Sequence, residues 1–366
     1  MESAAVHPTT HLPCSSPNRL IAADSRRLLL PRFTDSRRRL LTSPTLKLKQ
    51  FGGNAGLVSS VRCSARVSVA ATPGVKDIDW DNIGFGLVNT DYMYVAKWTV
   101  NNPVFRGHLE RFGNIEVNPA AGVLNYGQGL FEGLKAYNKH DGNILLFRPE
   151  ENALRMQMGA ERLCMPAPTV EQFVEAVKTT VLANKQWEGL SPINLLIATD
   201  VHRATPGGTG GIKTIGNYAS VLKAQAAAKA KGYADVLYLD CVNKKYLEEV
   251  SSCNIFIVKD NIISTPAIKG TILPGITRKS VVDVARSQGF QVEERSVSVE
   301  ELIDADEVFC TGTAVVISPV GSVTYQDKRY TYKDGKTGTI TQQLYSDLTR
   351  LQTGTTEDRM NWTVEI

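Results

Sequence analysis

Metal-ligating patterns are missing from this sequence. Its six cysteines and five histidines are scattered, with no C-x-x-C pair and no Cys/His spacing that closes a tetrahedral site, so no metal centre is expected. Cys14 and Cys63 fall near the N-terminus, while Cys164, Cys241, Cys253 and Cys310 read as small buried residues in a reducing compartment. Also missing is an apolar run of bilayer-spanning length, which argues against secretion or membrane embedding. There is no internal repeat. The body of the chain carries no basic stripe either, so nucleic-acid binding is not expected.

The charge that is present sits at one end. Residues 1–66 hold eleven of the 41 Lys and Arg but only three of the 37 Asp and Glu, leaving 30 basic and 34 acidic residues for the rest. An arginine- and serine-rich, acid-poor start is the signature of an organellar transit peptide. Its Ser and Thr content and the stretch Val61-Arg62-Cys63-Ser64-Ala65 favour the chloroplast over the mitochondrion.

The remaining 300 residues are enough for two ordinary domains. Residues 75–202 read as a small α/β domain, 203–211 as an interdomain loop and 212–366 as a larger domain. In the first, Asp91–Trp98 and Gly113–Val117 are strand-like, Val123–Tyr137 begins helical and becomes a strand, and Asp141-Gly142 marks a hairpin returning through Asn143–Phe147. Pro149 opens a helix with Leu154, Met158 and Ala160 on its apolar face, and Arg155 in the same helix reads as a solvated charge. A second helix spans Val170–Ala183, and Pro192–Ala198 is a buried strand. Beyond the loop come a helix over Asn217–Lys231, strands at Asp235–Asp240, Asn254–Lys259 and Ile262–Thr265, and a helix opened by Gly275-Ile276-Thr277-Arg278. Strands at Glu307–Thr311 and Val315–Pro319, a hairpin around Asp327-Lys328 and a helix over Ile340–Leu351 close the chain.

The stretch Gly207–Tyr218 (GGTGGIKTIGNY) has five glycines in its first ten residues. Backbone of this kind turns tightly or approaches something closely. By composition alone it reads as a flexible loop with a solvated Lys213; the other reading makes that lysine a carrier of chemistry. The amides of Ile276 and Thr277 at a helix start form an anion site or an ordinary cap, and Gly312-Thr313-Ala314 is tight backbone that exposes further amides. Add Arg155, Tyr218 and a carboxylate in the Glu248–Ser252 turn, and these are the parts a pyridoxal phosphate enzyme needs: an amine, an acid for the ring nitrogen, a phenol and a phosphate nest.

From Trp80 onward the chain resembles the branched-chain amino acid aminotransferases of fold type IV, in their plant organellar form. The resemblance rests on Tyr126–Gly133 (YGQGLFEG), Gly210–Tyr218 (GGIKTIGNY), Glu249–Asn254 (EVSSCN), Leu273–Arg278 (LPGITR), Gly312-Thr313-Ala314 and Asn361–Val364 (NWTV). It implies a two-domain α+β fold, D-amino acid aminotransferase-like, with a small N-terminal α/β domain and a larger C-terminal domain of mixed sheets, and it implies a homodimer. It also implies that Lys213 attaches the pyridoxal 5'-phosphate and shuttles the proton. Glu249 then meets the pyridine nitrogen, Tyr218 the phenolic oxygen, and Arg155 the phosphate together with Ile276, Thr277 and Thr313. Substrate carboxylate meets Thr313 and Ala314, and Tyr126 and Phe131 line an apolar pocket suited to leucine, isoleucine and valine exchanging with 2-oxoglutarate and glutamate.

In one place the chain departs from that pattern. Relatives follow the helix that ends near Trp187 with a strand bearing an aromatic-x-Arg-Pro string and then a second central strand. Here Lys185-Gln186-Trp187 runs directly into Glu188-Gly189-Leu190, so the small domain is shortened by two strands. Central strands are not removed without unpaired neighbours, and the junction therefore implies weakened or absent turnover, or a role as dimer partner only. Other fold type IV enzymes, D-amino acid aminotransferase and aminodeoxychorismate lyase, are the remaining alternatives.

Overall fold

The computed structural model describes residues 89–99, 101–184 and 195–366, all within the unit Arg66–Ile366. The leader and the Trp187-Glu188 junction lie outside the described residues. A hairpin of β1 (Tyr92–Thr99) and β2 (Asn102–Arg111) comes first, followed by α1 (Gly122–Tyr126), β3 (Ala136–Asn138) and β4 (Ile144–Phe147). Two 14-residue helices, α2 (Pro149–Arg162) and α3 (Val170–Ala183), precede β5 (Leu195–Ala198). Next come α4 (Gly216–Ala219), α5 (Leu222–Ala230), β6 (Asp235–Leu239), β7 (Leu247–Val250), β8 (Asn254–Lys259) and β9 (Ile262–Pro266). The chain continues through α6 (Ile276–Ser287), β10 (Gln291–Arg295), α7 (Val299–Ile303), β11 (Glu307–Gly312), β12 (Val316–Pro319), β13 (Ser322–Tyr325), β14 (Lys328–Thr331), α8 (Thr339–Gln352) and β15 (Thr363–Glu365).

Two five-stranded sheets carry the core, ordered β14-β13-β5-β6-β7 and β10-β9-β8-β11-β12. Strand periodicity explains how they stack. On β6, Leu237 and Leu239 face the second sheet while Val236 and Tyr238 turn to α5; on β8, Ile255 and Ile257 face the first sheet while Phe256 and Val258 turn to α6 and α8. Both faces of each strand are thus apolar and buried, which is why these segments read as continuous hydrophobic runs. Strand β5 pairs in parallel with β6 and β13, and β15 pairs antiparallel with β4, so chain segments far apart in sequence share sheets.

Several expectations need correction. Gly113–Val117 forms no strand: β2 ends at Arg111, no neighbour pairs with the next residues, and Ile115 is exposed. The run expected as one helix from Asn217 is divided into α4 and α5, with Ser220 donating its hydroxyl to the Asn217 carbonyl at the division. On α2 it is Leu154 and Met158 that are exposed, and Arg155 that is buried among Asn152, Ala153, Gly159 and Ala160. The Glu248-Glu249 pair lies on strand β7 rather than in a turn. Cys164 is exposed and Cys241 half-buried, leaving Cys253 and Cys310 as the buried thiols.

Candidate active site

The glycine-rich stretch is held, not loose. A Cβ on Gly210 would run into the Thr271 carbonyl and Ala204, and one on Gly211 would lie 2.9 Å from the Gly270 carbonyl, so glycine here permits close approach of two backbones. The buried Asn217 carboxamide donates to the carbonyls of Thr209 (2.8 Å) and Ile212 (2.9 Å) and accepts from the Thr209 hydroxyl (2.8 Å). On the other side, Thr214 donates to the Gly129 carbonyl at 2.9 Å, Ile215 N–H to the same carbonyl, and Phe131 N–H to the Lys213 carbonyl. Lys213 is therefore carried on backbone fixed from both sides.

Its side chain reaches into a site built from four other segments. Lys213 Nζ donates to Tyr218 Oη at 3.1 Å and lies 4.6 Å from the centre of the Phe131 ring, which meets the Tyr218 ring edge-on. Burial lowers the Lys213 pKa to about 8, helped by the Arg155 charge and opposed by Glu132 and Glu249. Burial also raises the Tyr218 phenol above its ordinary value.

Glu249 is 2% exposed. Its Oε1 accepts the Leu273 N–H at 2.8 Å and lies 2.6 Å from Arg203 Nη1, while Asn254 Nδ2 approaches Oε2 at 3.4 Å. Arg203 Nη1 has no aligned hydrogen bond, so the pair is a close ion pair rather than a directed one. Burial pushes the Glu249 carboxyl up to about 7, and Arg203 is the largest influence holding it down. Arg203 was not among the residues expected here. Its one sequence signal is a lone arginine at the head of the glycine-rich run.

Arg155 forms a bidentate pair with Glu132, Nε to Oε1 at 2.9 Å and Nη2 to Oε2 at 2.6 Å, and its Nη1 donates to the Pro274 carbonyl. Glu132, also unexpected from sequence, accepts from Asn152 as well. Beside them α6 begins at Gly275 with no side chain capping it. A Cβ on Gly275 would collide with the Asn254 carboxamide. Thr313 donates to the Gly133 carbonyl at 3.2 Å, and Lys135 Nζ donates to the Ala314 carbonyl at 2.7 Å.

One cavity has Arg155, Lys213, Glu249, Ile276, Thr277 and Thr313 among its lining residues. Tyr218 and Phe131 adjoin it through the Lys213 amine. Ala314 stands next to it with its carbonyl taken by Lys135. Tyr126 is elsewhere, 86% exposed on α1.

The fold that brings an amine, a buried acid and an open helix start together in this way is that of the class IV amino-transferases, whose family profile matches residues 188–323. The chain is 62% identical over 351 positions to branched-chain-amino-acid aminotransferase 5, chloroplastic, of Arabidopsis thaliana, covering 83% of this chain and 84% of that one. It is 56% identical over 419 positions to branched-chain-amino-acid aminotransferase 3, chloroplastic, of the same plant, covering the whole of both. Among solved structures, the branched-chain amino acid aminotransferase from Escherichia coli matches with a TM-score of 0.65 and 27% identity over 75% of this chain and 99% of that one. This chain belongs to the branched-chain amino acid aminotransferase family. The alignment of 419 positions spans 366 residues, a difference of 53 positions with no counterpart here.

Proposed function

We propose that this chain is a chloroplast aminotransferase using pyridoxal 5'-phosphate, moving the amino group of leucine, isoleucine or valine to 2-oxoglutarate. The observation that carries this reading is the single cavity lined by the Lys213 amine, the Glu249 carboxylate, Arg155 and the uncapped start of α6. These groups fit the cofactor's chemistry. An amine with its pKa near 8 is available for attachment, the buried acid suits a ring nitrogen, and free amides with a cation suit a phosphate.

In this reading Lys213 holds the cofactor, then takes the substrate's Cα proton and returns it. Tyr218 donates to the ring oxygen, and Glu249 keeps the ring nitrogen protonated. Arg155, the Ile276 and Thr277 amides and Thr313 hold the phosphate; Thr313 and Ala314 amides take the substrate carboxylate; Phe131 supplies apolar wall. When bound, pyridoxal phosphate supplies an electron sink for the charge left at Cα. An apolar pocket discriminates by volume, at about 1–3 kcal/mol per methylene.

A homodimer belongs to the same reading. Ile115, Leu124 and Tyr126, between 62% and 86% exposed, offer apolar area that a second copy would cover. Light scattering on the chain without its leader is expected to give twice the chain mass; a monomer at micromolar concentration would remove this part. For the compartment, the check is import of a reporter fused to residues 1–66.

The test of function is amino transfer from leucine to 2-oxoglutarate, with aspartate as a poor donor. Equal rates for leucine and aspartate would overturn the assignment. The 53-position difference favours a second reading, in which the small domain is shortened at Trp187-Glu188 and turnover is weak although the cofactor binds. Following the cofactor's absorbance and leucine turnover separately decides between them, since normal turnover excludes the impaired form.

A further inference from the structure

We propose that Arg203 is a positioning residue that fixes the Glu249 carboxylate as an anion and orients one of its oxygens toward the cofactor ring. This rests on the cofactor reading above. It stands on geometry. Arg203 lies between β5 and the glycine-rich loop, its side chain is 2% exposed, and its Nη1 is 2.6 Å from Glu249 Oε1. Leu273 N–H occupies that same oxygen at 2.8 Å. Oε1 is therefore fully engaged, whereas Oε2 has only the long 3.4 Å approach of Asn254 and remains able to accept from a ring N–H.

The other charged groups that act on Glu249 are Lys213 and Glu248. Glu248 opposes ionisation, and Lys213 helps only while its amine is charged. Once that amine is neutral or engaged, Arg203 remains as the permanent cation paired directly with Glu249, because a guanidinium does not lose its proton in a protein. Arg203 also keeps Nε buried without a hydrogen-bond partner. A buried orphan of this kind is costly and calls for a reason. Serving Glu249 with charge, rather than completing its own hydrogen bonds, is such a reason.

The experiment titrates the apo chain with pyridoxal phosphate and reads the dissociation constant and the pH dependence of the visible band. Arg203→Gln is expected to weaken binding by at least about tenfold and to shift the pH at which the band changes. Arg203→Lys, which keeps the charge, is expected to recover most of both. Combined with Glu249→Gln, Arg203→Gln is expected to add nearly nothing, since its effect runs through the carboxylate. A merely structural arginine would give additive losses and no rescue by lysine, and either result overturns the proposal. Wild-type chain that takes up no cofactor would instead overturn the functional reading, leaving the two failures distinguishable.

Discussion

Lys213→Ala is expected to abolish the absorbance change on adding pyridoxal phosphate and to lower leucine turnover by about 10⁴-fold or more, as both the attachment point and the proton carrier are lost. The side chain has no substitute at its position. Lys135 is another lysine close by: it adjoins Thr313 and the start of α6, and burial lowers its pKa to about 8 as well. Its Nζ, however, donates to the Ala314 carbonyl at 2.7 Å. Borohydride reduction and peptide mapping of the wild-type chain are expected to find label on Lys213 alone. Label on Lys135, or a Lys213→Ala chain that still shows the band, would contradict the assignment. Circular dichroism separates these outcomes from misfolding.

For Glu249→Gln the expected loss is about 10²–10³-fold in turnover, with attachment to Lys213 retained. A carboxamide keeps the shape and can still accept from Leu273 N–H but carries no charge to hold a ring nitrogen protonated. The pH dependence gives the sharper reading. In the chain without cofactor, Glu249 ionises as pH rises through about 7, and Lys213 becomes the neutral, nucleophilic amine as pH rises through about 8. The rate of cofactor capture should therefore climb in two steps, the lower from the acid and the upper from the amine. In Glu249→Gln the lower step disappears and the upper one stays. A profile unchanged by the substitution would show that Glu249 does not titrate in this process.

Local pattern accounts for much of the fold. The alternation on β6 and β8 marks strands buried on both faces, and Asp260-Asn261 marks a turn whose two residues take φ of 48° and 63°, conformations that Asp and Asn tolerate. Pro149, and the Gly275 that precedes α6, mark helix starts through constraints carried by one residue each. Such signals survive because hairpins and helix ends are decided within a few residues. Gly113–Val117 shows their limit: its residues favour a strand, but a strand needs a neighbour, and none is offered past Arg111.

Burial of charge is the other limit. Arg155 looks like a surface residue of an amphipathic helix until Glu132, 23 positions earlier, and the Pro274 carbonyl, 119 positions later, close around its guanidinium. Arg203 becomes interpretable only once β7 brings Glu249 beside it.

The Gly207–Tyr218 stretch divides the two contributions most clearly. By itself the sequence determined that a lysine and a tyrosine five residues apart stand in glycine-rich backbone, and through its longer motifs it determined the family. Tertiary structure alone decided that the glycines serve close approach to Gly270 and Thr271, that Asn217 and Gly129 hold the loop, and that Lys213 shares a cavity with Glu249. The reason is physical: turn chemistry is local, whereas desolvation and ion pairing depend on groups that only the packed chain brings within a few ångströms.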